Sequence, residues 1–141
     1  MGLDKILAIS QKPGLYKLVT QTRAGLIAES LLDGKRISVN LRNNISLLSE
    51  IAIFTLTEEK PLGEVFLKIK DKENGEKTSV SHKDSKDAIE EYFFNILPDY
   101  DEDRVYVSDI KKIIRWYNLL HENNLLDELK EEEQITSQEE E

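Results

Sequence analysis

Apolar and polar positions change period partway along the chain. Between residues 15 and 57 the apolar residues fall in short β-branched runs or alternate one-on, one-off. From Pro61 onward they recur at three- and four-residue spacing. The first pattern predicts strands and the second helices. Leu3, Ile6 and Leu7 have helical spacing, which predicts one or two turns before Pro13-Gly14 interrupts. Residues 15–20 and 26–32 read as strands separated by Thr22-Arg23-Ala24-Gly25, a turn in which Gly25 is available for a positive φ. Asp33-Gly34 then predicts a type I′ hairpin. In the next strand Ile37, Val39 and Leu41 alternate with Arg36, Ser38 and Asn40, so one face is buried and the other wet. Arg42-Asn43-Asn44 is loop-like, residues 45–48 suit a single helical turn, and residues 51–57 form a fourth strand rich in β-branched and aromatic side chains. So many short strands in fewer than 60 residues suit a small, strongly bent barrel of the SH3-like kind.

The helical half starts at Pro61, whose missing N–H costs nothing in a first turn. Leu62, Val65, Phe66 and Ile69 share one face. Residues 70–85 are polar, with a turn at Asn74-Gly75. Asp84 or Ser85 caps a second helix with the stripe Ile89, Tyr92, Phe93, Ile96 and Leu97, stopped by Pro98. Residues 99–104 form an acidic loop. Ser108 reads as the next N-cap, with Asp109 favourably placed against the helix dipole. Ile110, Ile113, Ile114, Tyr117 and Leu120 are the buried stripe of this third helix, which Asn123-Asn124 breaks. Residues 125–129 read as a short helix or a frayed end. The expected fold is α+β: an SH3-like β-barrel over residues 1–57, a compact unit of about three helices over 58–129, and a disordered acidic tail over 130–141. No Pro/Gly/Ser-rich spacer separates the modules, so they are expected to share an interface.

Charge sharpens this division. Residues 1–57 carry a net +3 and residues 58–141 a net −12, giving −9 for the 141-residue chain. With a pI near 4.8, nucleic acid and anionic lipid are repelled by the molecule as a whole, and binding of either needs a local patch. The chain has no cysteine, which excludes disulfides, thiol nucleophiles and thiolate metal sites and fits a reducing cytoplasm. Residues 1–5 do not read as a secretory signal. Gly2 invites myristoylation, but Ile6 stands where that motif needs Ser or Thr. No stretch is long enough to span a bilayer.

Two stretches resemble a domain-of-unknown-function family of bacterial proteins found mainly in the Bacteroidetes lineage. The first is Leu7-Ala8-Ile9-Ser10-Gln11-Lys12-Pro13-Gly14-Leu15-Tyr16-Lys17-Leu18, continuing to Glu29-Ser30-Leu31-Leu32-Asp33-Gly34-Lys35-Arg36. The second is Leu97-Pro98-Asp99-Tyr100-Asp101, followed by Arg104-Val105-Tyr106-Val107-Ser108-Asp109-Ile110-Lys111-Lys112. Both occur in order at similar spacing, and the resemblance covers most of the chain outside the acidic tail. It implies a small N-terminal β module followed by a helical one. It implies no activity and carries no functional residue.

Catalytic and metal motifs fail on inspection. Asp99, Asp101 and Asp103 occupy positions 1, 3 and 5 of a calcium loop, but Arg104 replaces the glycine of position 6 and Ile110 the glutamate of position 12. Ser108-x-x-Lys111 matches a serine–lysine pair without its partner motifs, and a helix cap with an exposed lysine accounts for it. His82 and His121 have no sequence-local partner. No cofactor, metal or catalytic set is expected. The basic residues Lys12, Lys17, Arg23, Lys35 and Arg36 fall on or beside turns and strand ends, with Tyr16 among them. On one face of a small barrel they would give a cationic surface with an aromatic for stacking. Trp116 lies at the edge of the third helix's stripe, where it either packs on the core or, with Leu119, marks a partner surface. The expected function is a non-enzymatic module that binds protein or peptide through the barrel surface or the groove between modules. The alternative is nucleic-acid binding through the basic face of the N-terminal module. The candidate binding residues are Tyr16, Lys17, Arg23, Lys35, Arg36 and Trp116, and no membrane partner is expected.

Overall fold

The computed structural model describes residues 5–9, 12, 14–40 and 44–126. Seven strands precede three helices: β1 (Ile6–Ile9), β2 (Tyr16–Gln21), β3 (Gly25–Ser30), β4 (Arg36–Asn40), β5 (Ile45–Leu47), β6 (Ala52–Phe54), β7 (Glu59–Pro61), α1 (Leu62–Glu73), α2 (Lys86–Ile96) and α3 (Val107–Glu122). The first five form an antiparallel sheet in the order β4-β3-β2-β1-β5. The expected α+β class holds, but the sheet is open and not a closed barrel: among the described residues no ladder joins β4 to β5. The run expected to supply a fourth barrel strand leaves the sheet instead. Its residues form β6, which pairs with β7 in a separate hairpin and sends Ile53 into the helical core.

Residues 6–9 are a strand where helical spacing predicts a turn. β1 is apolar on both sides because it separates two cores. Ile6 and Ala8 face the helices, while Leu7 and Ile9 face a smaller core inside the curl of the sheet. A strand covered on both faces loses the period of two that would identify it. Likewise residues 45–47 are β5, paired with β1, and only Leu48–Glu50 turn as a short 3-10 segment.

The two turns also differ from expectation. Gly25 does not have a positive φ. A Cβ there would lie 1.8 Å from the Val39 carbonyl oxygen, so glycine is required by the close approach of β4. At the other end of β3 the loop is longer than a two-residue type I′ turn. The Ser30 N–H donates to the Lys35 carbonyl (2.8 Å), and only Gly34, at φ 75°, has the left-handed conformation. Asp33 instead accepts from the Lys35 N–H through Oδ1 (2.9 Å).

The larger core joins both halves of the chain. Ile6, Leu15 and Leu48 pack with the stripes of all three helices, including Phe66, Ile69, Phe93, Ile114 and Tyr117. Phe93 and Tyr100 meet edge-to-face at 4.9 Å. Ser85 caps α2, its Oγ accepting from the Ala88 N–H (3.2 Å). The N-cap of α3 is Tyr106 and not Ser108. Asp109, three residues on, accepts the Tyr106 N–H at 3.0 Å and so starts the helix two residues earlier than the serine suggests. The C-terminal end of α3 is tied to the sheet through Asn123, whose Nδ2 donates to the Leu31 and Leu119 carbonyls (3.2 and 2.8 Å). The expected acidic tail and most of the segment 125–129 lie outside the described residues.

Candidate binding cleft

The basic residues of the sheet do not form one surface. Arg23 lies in the turn between β2 and β3, and Lys35 in the loop between β3 and β4. These are opposite ends of a six-residue strand, roughly 17 Å apart by strand rise. Lys17 and Arg36 share an outer face, but Glu29 stands between them in the ladder and pairs with Arg36 at 3.3 Å. Tyr16 is buried in the inner core of the sheet and offers no ring for stacking.

Trp116 and Lys12 are brought together elsewhere. On α3, Lys112, Arg115 and Trp116 stand at i, i+3 and i+4 and therefore share a face. That face looks across a cleft of about 680 Å³ toward Ala8, Ile9, Lys12, Asn44 and Ser46, with Ile51 also lining it. The cleft exists partly because β1 presents its smallest side chain, Ala8, toward α3. Its apolar surface is Ala8, Ile51 and the half-buried Trp116 ring. Its charges are Lys12, Lys112 and Arg115, with no acid among its described lining residues. None of the three cations takes part in an ion pair among the described residues. In a chain of net charge −9, three unneutralised cations around an aromatic floor concentrate positive potential where the rest of the molecule has little.

A smaller depression of about 270 Å³ continues along α3, sharing Ile51, Lys112 and Trp116 and reaching Phe54 and Arg104. There the Arg104 guanidinium lies 5.0 Å from the centre of the Phe54 ring, and its Nε is 3.6 Å from Asp101. On the other side of Arg115 a depression of about 500 Å³ is lined by Thr78, His82, Asn118 and Glu122, among others. Burial, followed by the positive charges of Arg115, Lys83 and Lys111, holds the His82 imidazole below its usual value. Of the three cations that rim the cleft, Arg115 also acts on His82. The loop preceding α2 is held to this helix by Asn118, which accepts from the Thr78 N–H (2.9 Å) and donates to Thr78 Oγ1 (3.0 Å).

The described residues place no group of three His, Asp or Glu side chains so as to hold a metal ion. In the acidic loop Asp101 turns its oxygens to the Asp103 N–H (3.0 Å) and to Arg104. No described helix is long and apolar enough to cross a membrane. Sequence reasoning named Trp116 and Lys12 but missed Lys112 and Arg115. The signal was the Lys112-x-x-Arg115-Trp116 spacing, which sets two cations and an indole on one helical face.

Comparison with known proteins agrees with this architecture. A family model described as domain of unknown function DUF5606 matches residues 3–48, and a second, domain of unknown function DUF6852, matches residues 51–120. A search of the curated proteins finds no match. A solution NMR structure of a protein from Bacteroides vulgatus is 44% identical in sequence. It aligns over 86% of this chain and 87% of its own, with a TM-score of 0.72. The chain therefore belongs to this Bacteroidetes-type family of domain-of-unknown-function proteins, and in it the DUF5606 match is followed directly by the DUF6852 match.

Proposed function

We propose that the protein is a non-enzymatic binding module that takes an acidic polypeptide segment into the cleft between α3 and the β1–β5 edge of the sheet. The observation that carries this reading is the set Lys12, Lys112 and Arg115, unpaired among the described residues, around the Trp116 ring. An apolar floor with a cationic rim matches a segment that alternates apolar and acidic side chains. The floor buries the former, and the rim receives the latter in charge-assisted hydrogen bonds. The volume is in the range of sites that enclose a few side chains. We also read the curled sheet as an opened relative of the SH3-like barrels, with the cleft lying outside its curl, and the protein as cytoplasmic on the strength of its lack of cysteine.

Trp116 is the only tryptophan in the sequence, so its emission reports on the cleft directly. Titrating a synthetic twelve-residue peptide of alternating Glu and Leu should shift that emission saturably to the blue. Raising salt should weaken binding, and the double variant Lys112→Glu/Arg115→Glu should lose it at least tenfold. Absence of any saturable change, or tighter binding of single-stranded oligonucleotide than of the peptide, would remove the proposal.

A further inference from the structure

We infer that the occupant of the cleft in the free protein is the chain's own segment 127–141, so that an outside ligand must displace it. This deepens the reading above and rests on it. The segment contains eight acids against one lysine, and it includes Glu131-Glu132-Glu133-Gln134-Ile135. Three consecutive carboxylates beside one branched apolar side chain are the complement of three cations beside an apolar floor. Leu129 supplies a second apolar group on the other side of the run. The complementarity is thus one of sign and of the pairing of charge with an apolar group.

The path of the chain permits the docking. α3 carries the cationic face of the cleft and runs on to Glu122, about 10 Å of helix beyond Arg115. The far end of the helix stays close to the cleft wall. Asn123 is bonded to the Leu31 carbonyl, and a Cβ on Gly14, a lining residue, would fall 3.4 Å from Leu119. Leu126 is buried, and its carbonyl accepts from Lys70 Nζ at 3.4 Å, so the last described residue is anchored to the core. Fifteen residues beyond it span up to about 50 Å when extended, several times the distance back along α3. A tethered segment also meets the cleft at a high effective concentration, so modest intrinsic affinity is enough to fill it.

The test compares the full chain with the full-length variant Glu131→Gln/Glu132→Gln/Glu133→Gln, which keeps the size and polarity of the segment and removes the three negative charges matched to the cleft, three of its eight. Two quantities are read at low salt: quenching of Trp116 by iodide, and affinity for the Glu–Leu peptide. If the segment occupies the cleft, neutralising it should raise the iodide quenching constant at least twofold and tighten peptide binding at least threefold. Equal quenching and equal peptide affinity in the two proteins overturn the inference while leaving the cleft reading intact. Failure of the peptide to bind either protein overturns both.

Discussion

Replacing Gly25 by alanine tests how closely β3 and β4 approach. Gly25 stands opposite Asn40 in that ladder. A Cβ added to it would lie 1.8 Å from the Val39 carbonyl oxygen, 2.9 Å from its carbonyl carbon and 3.0 Å from Asn40 Cα. Ordinary contact begins near 3.4 Å. All three obstructing atoms are backbone, so no rotamer change relieves them, and the strands must part by about 1.5 Å at this pair. Overpacking of this kind costs about 1–3 kcal/mol, and weakening one or two ladder bonds adds about 1 kcal/mol. The stiffer unfolded chain returns about 0.4–1 kcal/mol. The net expectation is a loss of about 1–3.5 kcal/mol. Gly75→Ala is the control. Gly75 sits at φ 81° with nothing within 4 Å of an added Cβ, so only the left-handed penalty of about 1–2 kcal/mol applies, less the same entropic return. Urea unfolding followed by Trp116 emission measures both. An alanine at 25 that costs less than about 0.5 kcal/mol, or less than the alanine at 75, refutes the argument that the position is set by the Val39 carbonyl and not by its own φ.

Other outcomes follow from the core and the loops. Phe93→Ala removes a fully buried ring that stacks edge-to-face on Tyr100 and should cost about 3–5 kcal/mol by calorimetry. Asn118→Ala leaves the buried Thr78 without its partner for N–H. It should lower stability by about 1–3 kcal/mol and speed hydrogen exchange at the Thr78 amide, whereas slow exchange there would argue against the anchor. Burial, followed by the negative charges of Glu73 and Glu76, pushes the Tyr117 phenol up to about 12. Burial and a hydrogen bond donated to Glu73 raise Tyr92 as well. Both phenols are held neutral in the folded state above their unfolded value near 10. Their contribution to stability is therefore complete below pH 10; that of Tyr117 is lost as pH rises from 10 through 12, and that of Tyr92 over a window that extends higher. The urea midpoint should fall across that window, less steeply in Tyr117→Phe, and a flat midpoint would contradict the assignment.

The helices were legible because each buries a single stripe. The spacing of Leu62, Val65, Phe66 and Ile69 is the face that packs, and so are the spacings in α2 and α3. β4 was legible for the same reason at period two, with Val39 turned inward and Ser38 and Asn40 outward. What failed was the reading of segments whose environment has two sides. Ile6, Leu7 and Ile9 are buried and Ala8 partly so, all four apolar, so no periodicity marks them as a strand. The run after Ile51 has strand composition, yet composition does not say which partner it takes, and the hairpin with β7 won over closure of the sheet. The cleft was half visible. Trp116 drew notice as an aromatic at the edge of a stripe. Its neighbours Lys112 and Arg115 carry no mark in the sequence beyond their spacing, because only the fold sets β1 opposite them. Arg23 and Lys35 are near in sequence to the same strand but at its two ends, a separation that turn signals alone do not reveal.

Because Ile6, Leu15 and Leu48 are walls of the same core that α1, α2 and α3 fill, the two matched regions meet along a party wall, not a seam. Severing the chain at the 3-10 turn Leu48–Glu50 would strip one side from each half: the sheet would show its helix-facing side to water, and the helices would lose three of the side chains that close their core. Neither portion is then a transferable cassette.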